Sequence, residues 1–415
     1  MENGPGSTGF HVMAKPSGPA CNLACDYCFY LEKESLFPLK QQRRMPPEVL
    51  DATIRNTIAS TPPELPVVFT WQGGEPALPG LDFYRHAVEL QRAYGAGRSI
   101  RNTFQTNGTL IGEDWARFFA EHDFLIGLSL DGPAEIHDRS RRYRSGAPSH
   151  HLVMAALERL QRAGVAFNIM ACVNRHSSQQ PLEIYRFFKR HGVQFIQFIP
   201  IVERLAGPEY AAAGFSLEGP DGTEAAMASF AVAPLAWGRF LTAIFEEWRR
   251  RDVGAVHVMN FEWSLAAFMG APGVVCVHRE NCGRAVVAEH NGDVYSCDHF
   301  VYPEYKLGNL KRDGLAAMID SARQQAFGRA KSQTLPAQCR ACKYLGGCWG
   351  GCPKHRFIKT ADGESGLNYL CAGYRHYLHH IAPFLKLIAG LIREGRAPAE
   401  IMQMDILVAG RQADE

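Results

Sequence analysis

At 415 residues, with 46% hydrophobic and 21% charged side chains, the chain has an ordinary globular composition and room for two or three domains. Its formal charge of +2 gives no reason to expect nucleic acid, and no apolar run reaches the roughly eighteen residues of a membrane span. Twelve cysteines would mean disulfides in a small secreted domain, but Met1 to Gly9 shows no secretory leader; in a long cytoplasmic chain they point to metal or redox chemistry.

Phe10 to Lys15 reads as a first strand, followed by a Gly/Pro-introduced loop carrying Cys21-Asn22-Leu23-Ala24-Cys25-Asp26-Tyr27-Cys28. Three thiols at C-x3-C-x2-C spacing can face one centre, and soft sulfur donors suit an iron–sulfur cluster or zinc. Three ligands leave a position open for a substrate or cofactor, where a structural site would close it. A zinc knuckle lacking one ligand is the alternative. From Val67 to Pro200 short β-rich runs alternate with amphipathic ones. Strands are predicted at Val67 to Trp71, Asn102 to Thr106, Phe124 to Leu130, Val165 to Val173 and Gln194 to Ile199, and helices at Leu81 to Tyr94, Glu113 to Glu121, His151 to Ala163 and Leu182 to His191. Six βα units imply a parallel sheet with right-handed crossovers and ligands at the strand C-termini. Periodicity does not distinguish a partial barrel from an open doubly wound sheet.

The strand ends carry candidate contacts. Gln72-Gly73-Gly74-Glu75-Pro76 follows the second strand, where two glycines let backbone approach a ligand and Glu75 can accept from an ammonium group or form a salt bridge across the turn. Gln105-Thr106-Asn107-Gly108 ends the third strand as lining or turn. Ser129 and Asp131 end the fourth, and Arg141 beyond them offers a fork for a carboxylate or a surface ion pair.

Glu203 to Pro234, rich in Gly, Ala, Ser and Pro with a turn at Gly219-Pro220-Asp221-Gly222, reads as a surface excursion. Leu235 to Arg251 resumes as a helix whose Arg249 to Arg251 end reads as a solvated face. Ala285 to Glu289 and Asp293 to Cys297 flank His290-Asn291-Gly292, a hairpin signal. Cys276, Cys282, Cys297, Cys339, Cys342, Cys348, Cys352 and Cys371 make two four-ligand sites by count, either two iron–sulfur clusters or two structural zinc sites. Cys172, in an apolar strand, reads as a core thiol. Asp298 adjoins Cys297, which restricts where its carboxylate can go; it and His299 are candidates for a proton acceptor, for a turn or for a hydrogen bond to ligand sulfur. Tyr374 to Arg393 closes the chain as a helix, its apolar run Ile381 to Ile392 interrupted by Lys386.

These blocks, in this order, resemble the radical S-adenosylmethionine (SAM) superfamily and, over nearly the whole length, its anaerobic sulfatase-maturating enzymes. The marks are Lys15-Pro16, Cys28-Phe29-Tyr30-Leu31-Glu32-Lys33, Trp71-Gln72-Gly73-Gly74-Glu75-Pro76, Phe198-Ile199-Pro200, Ser296-Cys297-Asp298-His299-Phe300 and Gly350-Gly351-Cys352-Pro353-Lys354-His355-Arg356-Phe357. The loop after Arg141 and Ala206 to Ala233 depart from the family pattern. The resemblance implies an α/β fold: a partial (β/α)6 barrel over residues 1–250 with an insertion around 203–234, a SPASM domain with two auxiliary [4Fe–4S] clusters over 251–382, and a C-terminal helix and tail over 383–415. It implies that Cys21, Cys25 and Cys28 hold a [4Fe–4S] cluster whose fourth iron is chelated by SAM, which reduction cleaves to a 5′-deoxyadenosyl radical. It assigns SAM contacts to Tyr27, Gly74, Glu75, Ser129, Arg141 and Val202, and peptide contacts to Tyr30 and Gln72. One auxiliary cluster would take Cys276, Cys282, Cys297 and Cys352, the other Cys339, Cys342, Cys348 and Cys371, with Asp298 as catalytic base. The implied reaction is dioxygen-independent oxidation of a Cys or Ser in a sulfatase polypeptide to Cα-formylglycine, served by a one-electron reductant such as flavodoxin or ferredoxin. The rival readings are a SPASM maturase forming thioether crosslinks, a zinc-stabilised peptide-binding scaffold and a ferredoxin-like electron carrier.

Overall fold

The computed structural model describes residues 9–37, 44–220, 222, 225–273 and 275–404. Met1 to Thr8, Asp221 of the expected turn and the tail after Met404 lie outside the described residues. Among the described residues no helix is long and apolar enough to cross a membrane.

Strands β1 (His11–Ala14), β2 (Val67–Trp71), β3 (Ile100–Thr106), β4 (Phe124–Ser129), β5 (Phe167–Val173) and β6 (Phe195–Pro200) pair in parallel, each beside its neighbour in sequence. An order that never turns back has no switch point, so the six units form a partial barrel rather than a doubly wound sheet. The crossover helices bury one stripe each. In Leu81–Tyr94 the buried residues are Tyr84, Ala87, Val88 and Gln91, the spacing of one helical face. Gln91 is tolerated there because it and Asn102 exchange amide hydrogen bonds of 2.9 Å, and Trp71 Nε1 donates to Asn102 at 2.8 Å. The first crossover contains a helix the sequence reading did not predict, Pro47–Ser60. Its Thr53 and Thr57 hydroxyls bond back to the carbonyls of Val49 and Thr53, and such residues weaken helix propensity, so packing of Val49, Leu50, Ile54 and Ile58 decides it.

The sheet does not stop at β6. β7 (His257–Val258) extends that edge, while β8 (Ala285–Ala288) pairs in parallel with β1 at the other, followed by antiparallel β9 (Asp293–Tyr295) and β10 (Lys306–Asn309). The Asn-Gly hairpin forms between β8 and β9. Gly292 takes φ 89° while Asn291 stays at negative φ, and Glu289 N–H donates to Asp293 O at 2.8 Å; the turn places its left-handed residue last. Because β8 runs parallel to β1, the C-terminal ends of both strands meet at one place.

The cysteine-bearing region also contains the helices Met259–Phe268 and Ala322–Gln333 and a small hairpin, Ile358–Lys359 with Ser365–Leu367. Glu203 to Pro234 is a surface segment only in part, with residues 208, 209 and 211–214 exposed. Phe215, Leu217, Ala228 and Val232 are buried, and the Ser216 and Leu217 N–H groups donate to the Glu32 carboxylate at 3.1 and 2.9 Å, folding the segment back over the chain after Cys28. Its small residues hide this packing from a hydropathy pattern.

The closing helix Cys371–Arg393 lies against Pro234–Arg251. A Cβ on Gly373 would sit 2.0 Å from the Pro234 carbonyl oxygen, and one on Gly238 would sit 2.5 Å from that of Gly373, so the backbones touch. Gly373→Ala should therefore cost about 1–3 kcal/mol by overpacking. Gly390→Ala, in open space on the same helix, should stabilise by about 0.5–1 kcal/mol. Thermal melts of the two variants falling on the same side of wild type would refute this account.

The predicted solvated face at Arg249 to Arg251 is corrected at its first residue. Arg249 is buried, its guanidinium 4.2 Å from the Phe384 ring centroid and paired with Glu246 at 2.6 Å. A long stem and a planar cation let Arg cover apolar surface at such an interface. Burial would raise the Glu246 carboxyl, but hydrogen bonds from His380 and Arg249 outweigh it and hold the group at about 2. A carboxyl depressed in the folded state adds stability that is complete above its ordinary value of 4.5 and is lost as pH falls towards about 2. The melting-temperature deficit of Glu246→Gln should thus be full at neutral pH and shrink below about 4.5; a deficit independent of pH would contradict the linkage.

Candidate active site

The loop after β1 is stapled to the end of β2 mainly through backbone, with the Ser17 hydroxyl also donating to Glu75 O at 2.9 Å. Gly74 N–H donates to Gly18 O and Glu75 N–H to Ala20 O, both at 2.8 Å, and a Cβ on Gly74 would lie 2.0 Å from the Ala20 oxygen. That approach explains the glycine at position 74. The loop presents Cys21, Cys25 and Cys28 together: burial raises each thiol, Cys21 to about 12, and Cys21 and Cys25 are raised further by their neighbours in the triplet. Leu23 N–H and the Asn107 amide point at the Cys21 sulfur from 3.4 and 3.6 Å, donors suited to a thiolate. Three grouped soft sulfurs with such donors fit a cluster.

Beside the triplet stands a buried polar hub. Asp131, just past β4, accepts Arg141 Nε at 2.9 Å and Nη2 at 3.1 Å, the Tyr27 hydroxyl at 2.5 Å and the Cys172 N–H at 2.8 Å. Burial would raise the Asp131 carboxyl, but Arg141 outweighs it and holds it below the usual range. Tyr27 and Arg141 are therefore neighbours, and Arg141 belongs to a buried pair instead of the surface one weighed above. Cys172 is not a plain core thiol either: Arg141 Nη2 lies 3.4 Å from its sulfur. Ser129 accepts from Gln105 at 3.0 Å, and Val202 is buried just after β6. Glu75 is fully buried and accepts from Thr106 Oγ1 at 2.8 Å and from the Ala77 and Asn107 N–H groups at 2.9 and 2.8 Å. Burial pushes it up to about 7 against those three donors. A carboxylate offers about four acceptor positions, and three of them are filled here.

The other cysteines, Cys172 aside, fall into two sets. Beyond burial, Cys297 is raised by Cys352 and Cys276, and Cys352 by Cys276 and Cys282. Separately, Cys348 is raised by Cys371 and Cys339, and Cys371 by Cys339 and Cys342. Among the described residues no three His, Cys, Asp or Glu side chains gather tightly enough for one metal ion; the thiols are grouped at the wider range over which charges interact.

Asp298 closes the arrangement. From the position after Cys297 its carboxylate reaches across 283 residues to the ammonium group of Lys15, at the end of β1. Burial would raise Asp298, but Lys15 and then His299 outweigh it and keep it ionised. Lys15 also lies 4.1 Å over the Tyr30 ring, whose hydroxyl donates to Glu289 at the end of β8. Gln72 Nε2 lies 2.8 Å from Met13 Sδ. His299 points elsewhere, its Nδ1 3.4 Å from the Cys352 sulfur.

With this geometry in place, comparisons with known proteins are decisive. Residues 16–188 match the radical SAM superfamily and residues 276–343 an iron–sulfur cluster-binding domain, SPASM. A serine-type anaerobic sulfatase-maturating enzyme of Bacteroides thetaiotaomicron is 47% identical over 95% of this chain and 94% of its own length. The chain belongs to the anaerobic sulfatase-maturating enzymes. A cysteine-type member from Clostridium perfringens is 31% identical over 92% of this chain and 99% of its own. A solved structure of native anSMEcpe with bound AdoMet and Cp18Cys peptide superposes with a TM-score of 0.79 at 30% identity, covering 92% of this chain and 99% of that one.

The maturase is thus an enzyme whose cofactors are SAM and [4Fe–4S] clusters, which sets aside the zinc scaffold and the simple electron carrier. In this maturase the fold brings Tyr27 and Arg141 to one hub, and Tyr30 and Asp298 to Lys15. Gln72 lies against Met13 instead, and Val202 is buried just after β6. Sequence reasoning missed two partners, Lys15 for Asp298 and Asp131 for Arg141. It also missed Lys354, whose ammonium pairs with Glu203 at 2.6 Å with both groups buried. Lys15 and Lys354 each lie within a motif quoted above, and a lysine flanked by apolar or cysteine-rich sequence was the available signal.

Proposed function

We propose that this maturase oxidises a seryl side chain of a sulfatase polypeptide to Cα-formylglycine without dioxygen, cysteine being the second choice of substrate. The single observation that carries the reading is the Asp298 carboxylate, set beside a cluster-binding cysteine yet held by Lys15 at the entrance to the three-thiol loop. When bound, SAM and the clusters supply an acceptor for a Cβ hydrogen atom and a sink for one electron. The protein's own task is the remaining proton. An ionised carboxylate kept from protonation by Lys15 suits a hydroxyl made acidic by the loss of the adjacent hydrogen atom. Removing one hydrogen atom, one proton and one electron turns the alcohol into the aldehyde, so the balance closes.

Cys21, Cys25 and Cys28 hold the SAM-binding cluster. Tyr27, Gly74, Glu75, Ser129, Arg141 and Val202 surround SAM. The sets Cys276, Cys282, Cys297, Cys352 and Cys339, Cys342, Cys348, Cys371 hold the auxiliary clusters, supported by the grouping of their thiols. Tyr30 and Gln72 line the peptide, and a flavodoxin- or ferredoxin-type donor supplies electrons. Serine is favoured by the 47% identity to a serine-type relative against 31% to a cysteine-type one. Anaerobic incubation with Ser- and Cys-containing sulfatase peptides tests it by mass spectrometry. The expected serine product is two hydrogens lighter and captured by a hydrazide; SAM cleavage without an aldehyde, or a peptide crosslinked through sulfur, would refute it.

A further inference from the structure

Among the auxiliary thiols stand two cations with no carboxylate paired to either among the described residues. Lys331, on the helix Ala322–Gln333, is 1% exposed, and its ammonium donates to the carbonyls of Cys276 at 2.6 Å, Val277 at 3.1 Å and Arg279. Arg356 donates through Nε to Gly350 O at 2.9 Å, through Nη2 to Trp349 O and through Nη1 to Lys331 O. The backbone is shaped for that guanidinium: Trp349, Gly350 and Gly351 run through φ 45°, 67° and 61°, and a Cβ on Gly350 would lie 2.6 Å from Arg356 Nη2. Left-handed tryptophan is uncommon, and strain of this kind gathers at functional sites.

Carbonyls satisfy the N–H donors without neutralising the charge, and lacking an anion is costly for the buried Lys331, less so for the half-buried Arg356. The anionic candidates that act most strongly on these two are cysteines. Lys331 acts most strongly on Cys276, Cys282 and Cys352 of one set and also on Cys348 of the other; Arg356 acts on Cys339 and Cys348 of that other set together with Cys352 and Cys282. Both cations therefore act on both sets, Lys331 mainly on the one that contains Cys276. We infer that Lys331 and Arg356 are the built-in counter-charges of the two auxiliary clusters, each acting on both, and that they raise the clusters' reduction potentials. A [4Fe–4S] cube on four thiolates is a net anion that gains further negative charge on reduction, and net charge is one of the levers on its potential. A fixed positive neighbour favours the reduced form, which is what a site that accepts an electron from substrate needs. The inference rests on the two ligand sets proposed above.

Redox titration of the anaerobically purified holoenzyme, followed by electron paramagnetic resonance, tests it. At the wild-type midpoint, Lys331→Met should lower the reduced-to-oxidised ratio of the Cys276-bearing cluster about tenfold, ~59 mV for a one-electron couple, and that of the other cluster less. Arg356→Gln should lower that of both, while Lys331→Arg and Arg356→Lys stay near wild type. Loss of the clusters in the neutral variants with full loading in the charge-conserving ones supports the same conclusion. Neutral variants that load fully and titrate as wild type would overturn it, as would charge-conserving variants as impaired as the neutral ones. Iron and sulfide too low in the wild-type protein for two auxiliary clusters would instead defeat the ligand assignment on which it stands.

Discussion

Asp298→Asn is expected to abolish aldehyde formation while SAM is still cleaved. The substitution keeps the shape of the side chain and its capacity to accept from Lys15, but removes the charge that makes it a base. General-base catalysis contributes roughly 10²–10⁴-fold, so formylglycine should fall at least about a hundredfold. The thiols are untouched, so iron and sulfide content should match wild type. Lys15 is 2% exposed and would be left without its counter-charge, so a stability cost is expected as well, and melting curves must accompany the assay. Product formation within about twofold of wild type would remove Asp298 from the chemistry; parallel loss of SAM cleavage would mean that the substitution damages the radical site itself. Lys15→Met should lower product in the same direction, since burial then acts on Asp298 unopposed by its main cation.

The second large effect is expected at Asp131. Asparagine there leaves Arg141 buried without an anion and weakens the bonds to Tyr27 and Cys172, a loss of about 3–5 kcal/mol by analogy with broken buried pairs. A fall that large shows as a markedly lower melting temperature. SAM affinity should drop with it, because the hub positions both Tyr27 and Arg141. Replacing the whole pair, Asp131→Leu with Arg141→Met, should recover much of the stability and none of the affinity. That split separates a counter-ion needed for folding from a fork needed for SAM. A single Asp131→Asn variant melting within about 0.5 kcal/mol of wild type would show that the pair is not what holds the loop.

How much of this was legible depends on the range over which each signal acts. The runs Val67–Trp71, Leu81–Tyr94 and Glu113–Glu121 appear in the structure with the predicted ends, because alternation and helical spacing are written within one element. The helix Pro47–Ser60 escaped because its threonines weaken the local signal that its packing overrides. Cysteine spacing announced metal chemistry, and the position after Cys297 marked Asp298. Nothing local marked Arg249 as buried or Glu203 to Pro234 as packed, since both depend on the surface that arrives opposite them.

The amino-acid order by itself determined the alternating units, the open three-thiol loop and the supply of eight further thiols, all properties of short windows or of simple counts. Only the tertiary structure decided that β8 would lie beside β1, that Asp298 would find Lys15, that Asp131 would hold Arg141, and which thiols would stand together. Counter-ions in a protein interior are chosen by which strand ends and loops converge, and a charge must find an opposite partner or fixed dipoles wherever the backbone delivers it.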